Sequence, residues 1–322
     1  MSVLSVIAPI IYYLCSLSGV ITRRDDDVLG EKEPSLCYQV TRFFFCLTFN
    51  LLILIITEFI VYLNFYISFR ENTTDVKNVN MMYFMSDAFL HNSKIVFIVI
   101  SSLTSFWRWR EYYSLINKLA VIRSSLMFTT KYRGKVFFFL MYVFVLLTFF
   151  CSRMRVGYLS TIITNCLVIP NIIIQITLIQ FIYTFYEINM ILMNALMKIN
   201  MNLEEIHAKI KNDNLNDINL LVDGQCDLQL VDSLRNLSEE LRSAMELTNH
   251  IFGLQILAAT FDLFLNIVIT PYFLYIDIKT TSSSGHVFMM TKEGKVFWTI
   301  ANILKLVFLF LPCASTTDEA AK

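Results

Sequence analysis

The sequence predicts an all-α fold, a polytopic transmembrane helical bundle with long cytoplasmic helical extensions. Three observations predict it. Hydrophobic residues make up 56% of the chain and charged residues only 16%. The mean hydropathy is +0.58. Six long apolar runs fall at about 43–67, 89–107, 136–151, 158–185, 251–276 and 296–312. A spanning helix needs ~20 mostly apolar residues to cross a hydrocarbon core of about 30 Å. A helix also satisfies its own backbone hydrogen bonds, which lipid cannot do.

Before the first run, residues 3–21 are apolar but interrupted by Pro9 and Gly19, and no basic stretch precedes them. They read as a short re-entrant or interfacial helix rather than a cleaved signal peptide. Basic residues orient the spans, because cytoplasmic loops are enriched in Lys and Arg. With the amino terminus inside, seventeen basic residues fall on the cytoplasmic side and seven outside, while Lys94 and Lys305 lie within spans. The loop from Arg108 to Lys135 dominates, with seven basic residues and one acid, Glu111. This orientation, with no Asp/Glu-Arg-Tyr after the third span and no Asn-Pro-x-x-Tyr, disfavours a rhodopsin-like receptor. Asn72-Thr73-Thr74 is a glycosylation sequon on the outer side. Asn236-Leu237-Ser238 matches the same pattern on the inner side and is set aside.

The fourth run continues as a helical stripe of Phe185, Ile188, Leu192, Ala195, Ile199, Leu203, Ile206 and Ile210. After a polar break a second stripe follows: Leu230, Leu234, Leu237, Leu241, Ala244, Thr248 and Ile251. Its alternating steps of four and three are those of a helix–helix seam. The seam serves either oligomerisation and anchoring or packing of two helices within one subunit. The organisation expected is an intracellular segment with the short helix (1–42), spans one to four (43–185), a cytoplasmic helical linker (186–250), spans five and six (251–313), and a cytoplasmic end (314–322).

Glu58, Asp262 and Lys305 lie near the middles of spans one, five and six. An intramembrane charge costs at least ~2.5 kcal/mol on insertion scales unless paired or hydrated. Asp262 and Lys305 have opposite signs and similar depth, which suits an interhelical pair; the alternative is that Lys305 snorkels and Asp262 faces a wet crevice or is protonated. Span four carries Thr161, Thr164, Asn165, Asn171, Gln175, Thr177 and Gln180, a polar face suited to a cavity or to other helices. Aromatic residues near the outer ends, among them Phe149, Tyr158, Tyr272 and Trp298, form an interfacial belt or the wall of a ligand pocket. With Thr161 and Asn165, these four are the candidate pocket residues.

Other chemistry finds little footing. The seven cysteines are scattered without a Cys-x-x-Cys spacing, and the four histidines are isolated. No metal site, catalytic motif or phosphate-binding glycine loop is present in the sequence, and no cofactor is expected. The net charge is +0 and no basic stripe points to nucleic acid.

Four local patterns then resemble the insect gustatory receptor family. They are the leader Ile11-Tyr12-Tyr13-Leu14-Cys15-Ser16-Leu17-Ser18-Gly19; the turn Phe106-Trp107-Arg108-Trp109-Arg110-Glu111; the lead-in Asn249-His250-Ile251-Phe252-Gly253-Leu254-Gln255; and the exit from span six, Cys313 followed after five residues by Glu319-Ala320. The resemblance runs along the whole chain and rests on order and topology. It implies a multi-pass plasma-membrane chemoreceptor, a ligand-gated cation channel subunit for small external tastants. It also implies a homo- or hetero-tetramer with related receptors in membrane lipid. In that family a seventh, pore-lining helix carries Thr-Tyr, five residues, then Gln-Phe. Here Gln180-Phe181 follows Ile173-Ile174 instead, and the residues given are expected to stop before that span. A non-conducting modulatory or truncated membrane subunit and a secondary transporter are the alternatives; no internal repeat supports the transporter.

Overall fold

The computed structural model describes residues 74–126, 138, 140–143, 160–213, 220–279 and 292–320, with scattered positions between 40 and 62. All described regular structure is helical. The continuous helices are α1 (Thr74–Trp107), α2 (Trp109–Leu126), α3 (Ser160–Asp213), α4 (Leu220–Lys279) and α5 (Lys292–Ala320). Among the described residues four stretches are long and apolar enough to cross a membrane: Ala88–Trp107, Ile172–Ala208, Val231–Ile276 and Gly294–Ala320. They correspond to the second, fourth, fifth and sixth apolar runs. Most of the first and third runs, the 3–21 segment, Glu58 and Asn72 lie outside the described residues.

The long helices change character along their length, which locates the water–lipid boundary. The lower part of α4 buries Leu234, Leu241, Ala244 and Thr248 and exposes charges outward. Arg235–Glu239 at 3.5 Å and Arg242–Glu246 at 3.1 Å are exposed pairs one turn apart. This is the pattern of a helix in water. Above Ile251 the pattern inverts. Gln255, Asp262, Asn266 and Thr270 face inward, while Leu254, Leu257, Phe261, Phe264 and Val268 face outward. Helix α5 repeats the inversion, with Asn302 and Lys305 inside and Val296, Phe297, Ile300, Ile303, Val307 and Phe310 outside. Apolar-out and polar-in is stable only where the solvent is hydrocarbon. The protein is therefore a helical membrane bundle with a second, water-facing section.

Helix α2 belongs to that section. It buries Tyr112, Leu115, Leu119, Ile122 and Leu126, one stripe at steps of three and four. Only a turn at Arg108 separates it from α1. Backbone bonds still bridge that turn, from Arg108 N to the Thr104 carbonyl and from Tyr112 N to the Arg108 carbonyl, both 2.9 Å. Together α1 and α2 lie antiparallel along α4 in one continuous register. Ser93 bonds Asp262, Gln255 donates to Thr104, Glu111 meets His250 at 3.5 Å, and Lys118 bonds Glu240 at 3.1 Å.

Helices α3 and α4, of 54 and 60 residues, are continuous across the membrane boundary. At 1.5 Å per residue each extends about 80–90 Å, far beyond the ~30 Å hydrocarbon core. The seam of Leu234, Leu241, Ala244 and Thr248 is buried against the chain's own helices, with Leu237 half-buried; Leu230 lies in α4, its side chain outside the described set. One aromatic cluster joins the two sections: Phe252 meets Tyr112, Phe181 and Phe185 at 6.3, 6.1 and 5.8 Å between ring centroids. Phe252→Ala should cost ~3–5 kcal/mol through the cavity it leaves, read as a lower melting temperature of the detergent-solubilised protein.

Candidate functional site

The apolar interior of the membrane section contains buried polar groups, and several of them are connected. On α4, Gln255, Asp262, Asn266 and Thr270 follow steps of seven, four and four, so they share one stripe. That stripe meets α1. The Ser93 hydroxyl donates to Asp262 Oδ1 at 2.6 Å. The Asn266 amide donates to the same carboxylate oxygen at 3.2 Å and to the Asp262 backbone carbonyl at 2.8 Å. This leaves the Asn266 side-chain oxygen free to accept, and the Trp298 indole N–H of α5 donates to it at 3.2 Å.

Trp298 passes the connection on. The Lys305 ammonium lies 5.0 Å from the Trp298 ring centroid, within cation–π range. Two turns below Trp298 on α5, Lys305 also donates to Gln175 Oε1 of α3 at 2.5 Å and to Asn302 Oδ1 at 3.3 Å. A single chain of contacts thus runs Ser93, Asp262, Asn266, Trp298, Lys305, Gln175. It ties α1, α4, α5 and α3 together. Every member is buried, none more than 5% exposed.

The buried charges act on one another, and Asp262 is the group that holds the lysines. Lys94, beside Ser93 on α1, and Lys305 both attract the Asp262 carboxylate. Taking an ion out of water costs several kcal/mol, and only close counter-charges and hydrogen bonds offset that. Among the described residues the buried charges are Lys94, Asp262, Lys295 and Lys305, three cations against one anion. No group of three His, Cys, Asp or Glu side chains among the described residues could hold a metal ion.

Of the residues singled out from the sequence, Asp262, Lys305, Trp298 and Gln175 come together in this network. Asp262 and Lys305 interact electrostatically and are also linked through Asn266 and Trp298. Tyr272 does not join them; it is 43% exposed on the outer side of α4. Thr161 and Asn165 lie on α3 near its start, their side chains outside the described set, and Phe149 and Tyr158 lie outside the described residues altogether. Sequence reasoning missed Ser93, Asn266 and Asn302 as partners. The signal was spacing: Asn266 lies one turn after Asp262, and Asn302 one turn before Lys305, each on the face of the charge it serves.

No curated protein matches the chain. A family model described as 7tm Chemosensory receptor matches residues 8–322, nearly its whole length. The all-helical membrane bundle and the match agree, and the chain belongs to the 7tm chemosensory receptor family.

Proposed function

We propose that this chemoreceptor is of the gustatory type. In this reading it is a multi-pass plasma-membrane subunit that opens a cation path when a small external tastant binds among its spans. The observation that carries the reading is the buried polar network shared by four membrane helices. A group inserted there changes the relative stability of different helix arrangements. A ligand shifts a closed–open equilibrium only by its differential affinity for the two states. A network touching α1, α3, α4 and α5 at once is suited to convert binding into their relative movement.

The water-facing section of α2, lower α3 and lower α4 is then cytoplasmic, as is the amino terminus, in keeping with the basic residues counted above. Residues 186–250 form the linker and anchor between spans four and five. Assembly with related receptors, as a tetramer, would use surfaces other than the buried α4 seam, and the outward apolar faces of α4 and α5 are available for it.

Currents in oocytes exposed to a panel of tastants, with surface expression verified, test the function. A ligand-evoked cation current is expected from the chain in company with a related receptor. Surface protein that leaves every current unchanged, alone and in company, would remove the channel reading. For orientation, an amino-terminal tag should stain only after permeabilisation. Asn72→Gln should abolish any glycan-dependent mobility shift and Asn236→Gln should not; the converse result would reverse the topology.

A further inference from the structure

We infer that the Lys305–Gln175–Asn302 cluster is a subsite for a carboxylate group of the ligand. The inference rests on reading the polar core as the ligand site and names the chemistry that site takes.

A lysine ammonium only donates hydrogen bonds. Gln175 and Asn302 therefore turn their carbonyl oxygens toward Lys305, at 2.5 and 3.3 Å. The amide nitrogens are forced to face away. Both nitrogens, Gln175 Nε2 and Asn302 Nδ2, are buried with no acceptor among the described residues. Each residue is only 1% exposed, so bulk water does not serve them. A buried donor left without an acceptor costs about 1–3 kcal/mol. Two such donors held by one ammonium are an unusual arrangement unless an acceptor completes it.

The missing complement is a group that accepts and does not donate. A carboxylate has two acceptor oxygens and no proton to give. Its charge suits a cluster built around the Lys305 ammonium. Hydrogen bonds to a charged acceptor are about twice as strong as neutral ones. Lys305 supplies the counter-charge at one remove, and the amides supply the hydrogen bonds. A neutral amide or alcohol would bring its own donors into a cluster that already has a surplus.

The purified chain in lipid nanodiscs tests this with three probes of equal chain length: butanoate, butanamide and butan-1-ol. Butanoate should raise the melting temperature saturably, and the other two should not. Gln175→Leu and Asn302→Leu should each weaken butanoate binding by about tenfold or more. Asn302→Asp and Gln175→Glu are the sharper variants, because they keep an oxygen for Lys305 and place a carboxylate inside the cluster. They should melt no lower than the parent chain and no longer respond to butanoate. Equal shifts from all three probes, no shift from any, or a preserved butanoate response in both acidic variants would overturn the subsite. An ordered water in that position predicts the second of these results. Butanoate binding without any evoked current would leave the subsite standing and remove the channel reading. Tastant-evoked current without butanoate binding would do the reverse.

Discussion

Asp262→Leu should be the most damaging single change in the membrane section. It takes away the carboxylate that accepts from the Ser93 hydroxyl and the Asn266 amide, leaving them only backbone carbonyls of their own helices, and removes the one buried carboxylate among the described residues. Lys94 and Lys305 then lose the anion that attracts them. Removing one partner of a buried charge arrangement costs about 3–5 kcal/mol. Against a typical total stability of about 5–15 kcal/mol, that loss should abolish surface expression or lower the melting temperature steeply. Asp262→Asn keeps the shape and one acceptor and should be milder. A Leu variant that folds and melts like the parent would show that the carboxylate does not hold the bundle together.

The second large effect is the coupling between Asp262 and Lys305. Their connection runs through Asn266 and the Trp298 ring as well as through space, so their mutations should not add. A double-mutant cycle of Asp262→Asn and Lys305→Met, read as melting temperature, should give an interaction of ~0.5–3 kcal/mol. The double variant should be less impaired than the sum of the singles, because each single weakens the compensation of the other charge. Additive losses would mean that the two charges stabilise the fold independently.

Much of this arrangement was legible in the sequence, for physical reasons that differ from element to element. Apolar runs of spanning length found the four membrane helices among the described residues because lipid demands length and hydrophobicity of each span separately. The stripe from Leu234 to Thr248 was legible because its heptad spacing survives in the fold. Its partners were not, since a seam carries no mark of whether it meets its own chain or another, and the structure buries it within the chain. Asp262 and Lys305 stood out as charges in apolar runs. Ser93, Asn266 and Asn302 did not, because a single Ser or Asn in a span is cheap enough to need no explanation. Trp298 and Tyr272 looked alike as aromatics near span ends. Only packing separates them: the Trp298 indole reaches Asn266 in the interior, while Tyr272 sits on the outward face.

In the function proposed above, ligand binding acts through the buried network. The most direct measurement is the concentration–response curve of the tastant-evoked signal in Trp298→Phe, at surface expression matched to the parent. Phenylalanine keeps an aromatic face for Lys305 but removes the N–H that Asn266 accepts. The link between α4 and α5 is cut while their packing is largely kept. Tyr275→Leu, on the exposed outer face of α4, serves as the control. The half-maximal concentration should shift by about tenfold in Trp298→Phe, the effect of losing one buried hydrogen bond, and stay unchanged in Tyr275→Leu. A Trp298→Phe curve superimposable on the parent's, with normal surface expression, would contradict it.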